Sequence, residues 1–357
     1  MTEDLFIPLH AGDLQLANRI AMAPMARRRA SDGGIPSEHA PLYYSQRSAA
    51  GLIISEGTAP CALGKGSLRM PAIFDESHVA GWRKVTDAVH ARGGRIVVQL
   101  MHSGRVAHSS RMPDGQLPVA PSALRPAGQV MTAAGLKEYE VPRALELDEI
   151  PKVVEQYAHA ARCAIAAGFD GVELHGASGF LPMQFLCSST NKRTDAYGGS
   201  AINRARFTVE VLQALAAAIG AGRVGVKLSP ENPHNDISDA DPVETFGTLV
   251  SAINALGLAY LHVAVAANAR ADHLSLLRPL FKGPFFVGGG LTRDKAGALL
   301  AEGKADVAVF GVLFLANPDL PERFRRGSAL NVPDDSTFYT VGPKGYIDYP
   351  FLADATA

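Results

Sequence analysis

The residues best placed to do chemistry in this chain stand where short apolar runs end. Gly171-Val172-Glu173-Leu174 leads into His175, and a loop carrying Gly176, Ser178 and Gly179 follows. Other runs end in Pro24-Met25-Ala26, Gly57, Gln99, Lys227, Gly289-Gly290 and Gly311. A lone histidine beside an apolar run is as readily a hydrogen-bonded core residue as a functional one. A series of runs ending in polar or small residues is the pattern of a parallel α/β protein, whose sites collect at the carboxyl ends of its strands.

Gln99 and Lys227 close inner runs, where water is scarce. A buried ammonium is costly without something electron-rich beside it. A planar heterocycle with carbonyls and ring nitrogens would satisfy both residues, as would an internal salt bridge for Lys227. Gly288-Gly289-Gly290 and Phe310-Gly311 end the last two runs, where barrels commonly bind phosphate through backbone N–H groups. A tight turn is the other use for such glycines.

Eight apolar runs alternate with helical periodicity. The spacing predicts strands over 18–26, 51–58, 95–102, 171–175, 223–230, 259–263, 285–290 and 306–311. Helices are expected over 36–48, with Ser37 as N-cap, and over 76–91, 148–167, 201–219, 242–255, 272–280, 293–301 and 318–326. Near-continuous apolar strands fit a sheet covered on both faces. No Gly-x-Gly-x-x-Gly follows the first strand, which argues against an open dinucleotide-binding sheet. The fold class is therefore α/β: a single (β/α)8 TIM barrel over 1–357, with a Pro- and Gly-rich insertion, 103–147, laid over the active face after strand 3.

Composition narrows the partners. The 34 Lys and Arg balance 35 Asp and Glu for a net charge near −1, which argues against a nucleic-acid or anionic-membrane partner, since both need clustered Lys and Arg. Cys61, Cys163 and Cys187 lack Cys-x-x-Cys spacing, so no metal site, iron–sulfur cluster or disulfide framework is expected, and a reducing cytoplasm fits. No secretory signal or membrane-spanning run is visible. A small-molecule substrate is the expected partner. Oligomeric state is not encoded in any readable feature.

Whole strings of the chain resemble the old yellow enzyme family of flavin-dependent ene-reductases. They include Arg19-Ile-Ala-Met-Ala-Pro-Met, Ala50-Gly-Leu-Ile-Ile-Ser-Glu-Gly-Thr, Val98-Gln-Leu-Met-His-Ser-Gly-Arg and Ala167-Gly-Phe-Asp-Gly-Val-Glu-Leu-His. Asn191-Lys-Arg-Thr-Asp-Ala-Tyr-Gly-Gly-Ser, Asn203-Arg-Ala-Arg-Phe, Asn317-Pro-Asp-Leu-Pro-Glu-Arg and the ending around Tyr339 and Gly345-Tyr-Ile-Asp-Tyr-Pro continue the likeness in order. The resemblance implies FMN across the barrel mouth, reduced by NADH or NADPH, and hydride passed from its N5 to the β-carbon of an activated alkene. It implies that His175 and Ser178 bind the substrate's carbonyl or nitro oxygen, with Phe180 and Tyr339 also lining the substrate cavity. It assigns the flavin's surroundings to Pro24, Met25, Ala26, Gly57, Gln99 and Lys227, and its phosphate to Gly289, Gly290, Gly311 and Val312.

Five positions depart from the family pattern. Ala26 replaces a threonine or cysteine, Ser178 an asparagine or histidine, and Phe180 a proton-donating tyrosine. Lys227 replaces an arginine beside the flavin, and Val312 the arginine that grips its phosphate, with Arg293 or Lys295 as substitutes. The main reading is an FMN-dependent reductase of an α,β-unsaturated carbonyl or nitroalkene. A non-reductive biosynthetic step such as isomerisation, with weak or no FMN, and a non-catalytic binding barrel are the alternatives.

Overall fold

Aliphatic and β-branched runs pair side by side because neither face of such a strand tolerates water. In a computed structural model, which describes residues 2–352, eight of them close into a parallel barrel. They are β1 (Ile20–Met22), β2 (Leu52–Ile54), β3 (Ile96–Leu100), β4 (Gly171–Gly176), β5 (Val224–Leu228), β6 (Tyr260–Ala264), β7 (Phe285–Gly288) and β8 (Val307–Phe310). Each pairs with the next, and β8 returns to β1. The expected (β/α)8 architecture is what the chain adopts.

The outer helices are α1 (Ala40–Ser45), α2 (Glu76–His90), α3 (Ile150–Ala166), α4 (Ala201–Ile219), α5 (Pro242–Ile253), α6 (His273–Leu277), α7 (Arg293–Ala301) and α8 (Leu320–Arg326). The expected spans 201–219 and 293–301 match α4 and α7. Side-chain caps start several of them: Asp75 accepts from the His78 amide at 2.9 Å and Asp241 from that of Glu244 at 3.0 Å. The first helix differs from expectation. It begins at Ala40 behind His39, with no side-chain cap, and the Ser37 hydroxyl is buried without a partner.

Most strands are shorter than the apolar runs that announce them, β4 and β6 excepted. The first stops at Met22, since Pro24 has no N–H for a ladder. Two short helices, Leu181–Leu186 and Val312–Ala316, were not expected. All six residues of the former are buried, so no polar face betrays a helical period.

The barrel interior is divided by height. Its lower half is apolar, with Tyr260 stacked on Phe286 at 4.1 Å. A hairpin of Leu9–Ala11 with Leu14–Leu16 contributes Ala11, Leu14 and Leu16 to that same buried cluster. The upper half carries Glu173, Gln99, His262 and His175, all buried. Polar groups at that level need partners or a ligand.

Two clamps hold the loops above. Arg193 pairs with Asp195 and donates to the carbonyls of Pro121 and Leu145, at 3.1 and 2.6 Å. Asn191 donates to Phe185 and Tyr197 carbonyls. The stretch 191–200 thus anchors the insertion rather than the chemistry. Arg27 and Arg29 do the same for the carboxyl-terminal segment, donating to carbonyls of Phe338, Gly342 and Gly345. Among the described residues no helix is long and apolar enough to cross a membrane.

Candidate active site

Alternate side chains of a barrel strand face the axis, so Glu173 and His175 of β4 rise one above the other. Strand register then chooses their neighbours. Glu173 stands opposite Gln99 of β3, His175 opposite Lys227 of β5, and Lys227 opposite His262 of β6. The fully buried Glu173 accepts from Gln99 Nε2 at 2.7 Å and lies 3.0 Å from His262 Nδ1. Above this tier opens a cavity of about 600 Å³, with Gln99, Lys227 and His175 in its lining.

His175 is oriented by its own loop. Its Nδ1 accepts the Ala177 amide at 3.3 Å, so the neutral ring carries its proton on Nε2 and presents a donor. Burial, then the charges of Lys227 and His262, holds the imidazole well below its ordinary pKa. Phe180 packs edge-on against it at 4.8 Å between centroids.

Ser178 adopts a left-handed backbone, φ 54°. Its amide donates to Ser229 Oγ at 2.8 Å and its carbonyl accepts from Asn235 Nδ2 at 2.7 Å. Asparagine tolerates that conformation better than other residues. The backbone at this point therefore suits the asparagine from which the chain departs, and serine sits there under strain.

Lys227 carries an ammonium for which the described residues offer no ion pair within 4 Å; Glu173 is taken up by His262. Burial lowers its pKa and the Glu173 charge opposes this. The internal salt bridge weighed from the sequence is replaced by a longer-range interaction that leaves the donors free.

Pro24, Ala26, Gly57, Ser178, Phe180 and Tyr339 also line the cavity. A Cβ on Gly57 would meet Met101 Sδ at 2.6 Å, so a larger residue there would push the Met101 side chain aside. Met25, Gly289, Gly290, Gly311 and Val312 lie outside this lining. Gly289 has φ 118°, and a Cβ on it would sit 2.5 Å from the Val265 carbonyl oxygen. The Gly289 and Gly290 amides find no backbone acceptor among the described residues, while Gly290 faces open space. Val312 is 45% exposed and brings no charge. Arg293 is drawn instead to Thr2 Oγ1 at 3.4 Å, and Lys295 is exposed.

These features suit FMN. A cavity large enough for a fused ring system has an amide and an unpaired ammonium in its wall, which match carbonyls and ring nitrogens. The unbonded glycine amides that follow β7 match an anionic tail. Gln99 and Lys227 would hold the ring, and Gly289 with Gly290 the phosphate.

Several cavity residues escaped the sequence reading: Arg28, Tyr139, and the loop of His234, Asn235 and Asp236. Three consecutive arginines behind the first strand were a usable signal for Arg28. The insertion residues Pro126, Gly128 and Val130 offered none.

The sequence profile of the NADH:flavin oxidoreductase / NADH oxidase family matches residues 4–331. The chain is 42% identical to 12-oxophytodienoate reductase 1 of Oryza sativa subsp. japonica, covering 98% of this chain and 93% of the rice protein. Among solved structures, morphinone reductase in complex with tetrahydroNAD superposes with a TM-score of 0.95 at 46% identity, over 99% of each chain. The old yellow enzyme homologue from Zymomonas mobilis gives 0.95 at 40% identity, over 98% of this chain and all of that one.

Proposed function

Because this chain belongs to the NADH:flavin oxidoreductase / NADH oxidase family, the old yellow enzymes, and is an NAD(P)H-dependent oxidoreductase that uses FMN, we propose that it reduces the activated C=C bond of an α,β-unsaturated carbonyl or nitroalkene. When bound, FMN supplies the hydride, received from NADH or NADPH and delivered from N5. The observation that carries the proposal is the free Nε2–H of a neutral His175 in the wall that Gln99 and Lys227 share.

In this reading His175 Nε2 and Ser178 Oγ donate to the substrate oxygen. They bind it more tightly as negative charge develops there, and so make the β-carbon a better hydride acceptor. A neutral imidazole holds that role across neutral pH without a proton equilibrium of its own. Lys227 and Gln99 would hold the ring from the strands on either side of His175, Gln99 being aimed by Glu173. Phe180 has no proton to give, so the α-carbon takes its proton from water or from Tyr139. Burial raises the pKa of that phenol and keeps it protonated.

The lack of a proton donor at Phe180, a cavity-lining residue, supports one second reading, in which the substrate leaves isomerised rather than saturated. The test of the main proposal is an absorbance spectrum of the purified protein, then anaerobic titration with NADH and NADPH and reoxidation by 2-cyclohexenone. Flavin absorbance that bleaches and returns with saturated product supports it. A protein that remains colourless with added FMN refutes it.

A further inference from the structure

The consecutive residues Arg27, Arg28 and Arg29 have divergent fates. The outer two are buried and spend their donors on backbone carbonyls of the carboxyl-terminal segment. Arg28 has φ 51°, in the left-handed region, and that turn sends its side chain to the cavity wall instead. A bulky residue held in this region is strained, and strain of this kind gathers at ligand sites.

The Arg28 guanidinium lies over the ring of Tyr339, 4.8 Å from its centroid. Stacking uses the face of the guanidinium, while its N–H donors lie in the plane and remain free. Among the described residues it makes no ion pair, and its Nε is buried without an acceptor. Arg111, from the insertion, is in the same condition: its Nε is also buried and unbonded. Burial disfavours the Arg111 charge; the exposed Asp32 opposes this, and the like charge of Arg28 adds to it.

The cavity offers these cations little compensation. Its lining carboxylate, Asp236, already accepts from the Ala127 amide at 2.9 Å. Lys227 adds a second positive side chain to the lining. The unpartnered planar fork of Arg28 at the cavity wall, with no bonded counter-ion, matches an oxyanion better than any neutral group.

We propose that Arg28, with Arg111 as a supporting positive charge behind it, forms an anion subsite at the cavity wall, which binds an oxyanion carried by an incoming ligand. The group is a carboxylate on the alkene substrate or the ribose 2′-phosphate that distinguishes NADPH from NADH. The inference rests on the reductase reading and adds to it the charge class of the ligand.

The test uses the FMN-loaded enzyme, in which the glycine cradle is filled, with Arg28→Gln, Arg111→Gln and Arg28→Lys. Three comparisons are made: NADPH against NADH, a carboxymethyl-substituted cyclohexenone against 2-cyclohexenone, and thermal denaturation with and without inorganic phosphate. In Arg28→Gln, kcat/KM for the anionic member of one pair falls at least tenfold more than for its neutral or less charged member. A fall confined to NADPH assigns the oxyanion to the reductant, and one confined to the acid assigns it to the substrate. Phosphate raises the Tm of the unaltered protein and does so less in either glutamine variant. Arg28→Lys retains charge but not the stacked fork, and recovers only part of the preference. Equal losses within each pair, together with an unchanged phosphate response, overturn the subsite. If the unaltered enzyme fails to reduce 2-cyclohexenone, the reductase reading fails instead, and the phosphate response still judges the anion subsite.

Discussion

Replacing Glu173 by glutamine removes one negative charge from a place no water reaches. The carboxylate is fully buried, accepts from Gln99 at 2.7 Å and sits 3.0 Å from His262. Hydrogen bonds to a charged group are worth about 1.5–3 kcal/mol each. A glutamine keeps one of the two and turns its NH2 towards a donor at the other. It also leaves Lys227, whose nearest compensating charge is Glu173, without an anion. Removing one member of a buried charged set costs about 3–5 kcal/mol, and that is the expected loss for Glu173→Gln. Urea denaturation of the apoprotein, by circular dichroism and intrinsic fluorescence, measures it. Freeing the Gln99 amide should also weaken FMN binding about tenfold, or 1.4 kcal/mol, read by fluorescence titration. A variant within about 0.5 kcal/mol of the parent, the usual range for surface changes, would show that Glu173 is not the anchor of this tier.

Four further outcomes follow from particular contacts. His175→Ala removes the donor aimed at the substrate oxygen, so kcat/KM for 2-cyclohexenone should fall about 10²–10³-fold in stopped-flow reoxidation; an unchanged rate would exclude it from that role. Ser178→Asn places a residue suited to φ 54°, and should gain about 1 kcal/mol in urea unfolding while lengthening the second donor. Gly289→Ala forces a Cβ to 2.5 Å from the Val265 oxygen and should weaken FMN by at least about tenfold, measured by equilibrium dialysis. Acidification should also destabilise the fold: burial holds His102 at about 4 and His175 well below its ordinary value. Between about pH 6.5 and 4 the unfolded chain therefore binds protons that the folded chain refuses. Stability falls through that window by up to about 1.4 kcal/mol per pH unit per histidine. His102→Gln should flatten the slope, and a slope equal to the parent's would count against the assignment.

Much of the fold was readable because barrel strands announce themselves locally. A run such as Val307–Phe310 is apolar throughout, and helices such as Ala201–Ile219 carry a period of 3.6 that no neighbour is needed to see. His175, Gln99, Lys227 and Gly57 were placed at strand ends on that ground, and all four meet at the cavity. The assignments that did not reach the lining, Met25, Gly311 and Val312 among them, depended on where a loop turns after its strand. Loop direction follows from contacts with distant chain, and carries little sequence signal.

The order of strands, the residues at their ends and the absence of an arginine at position 312 belong to the sequence alone. Tertiary structure decided that Glu173 serves Gln99 and His262 rather than Lys227, because barrel register sets those partners across residues 74 and 89 apart. It decided which of three adjacent arginines faces the ligand, because Arg27 and Arg29 find carbonyls more than 300 residues away. It also decided that Ser178 must occupy a left-handed turn, held there by Ser229 and Asn235. Periodicity is a property of neighbours along the chain. Charge compensation, backbone strain and the free edge of a guanidinium are properties of neighbours in space, and only closure of the barrel supplies those.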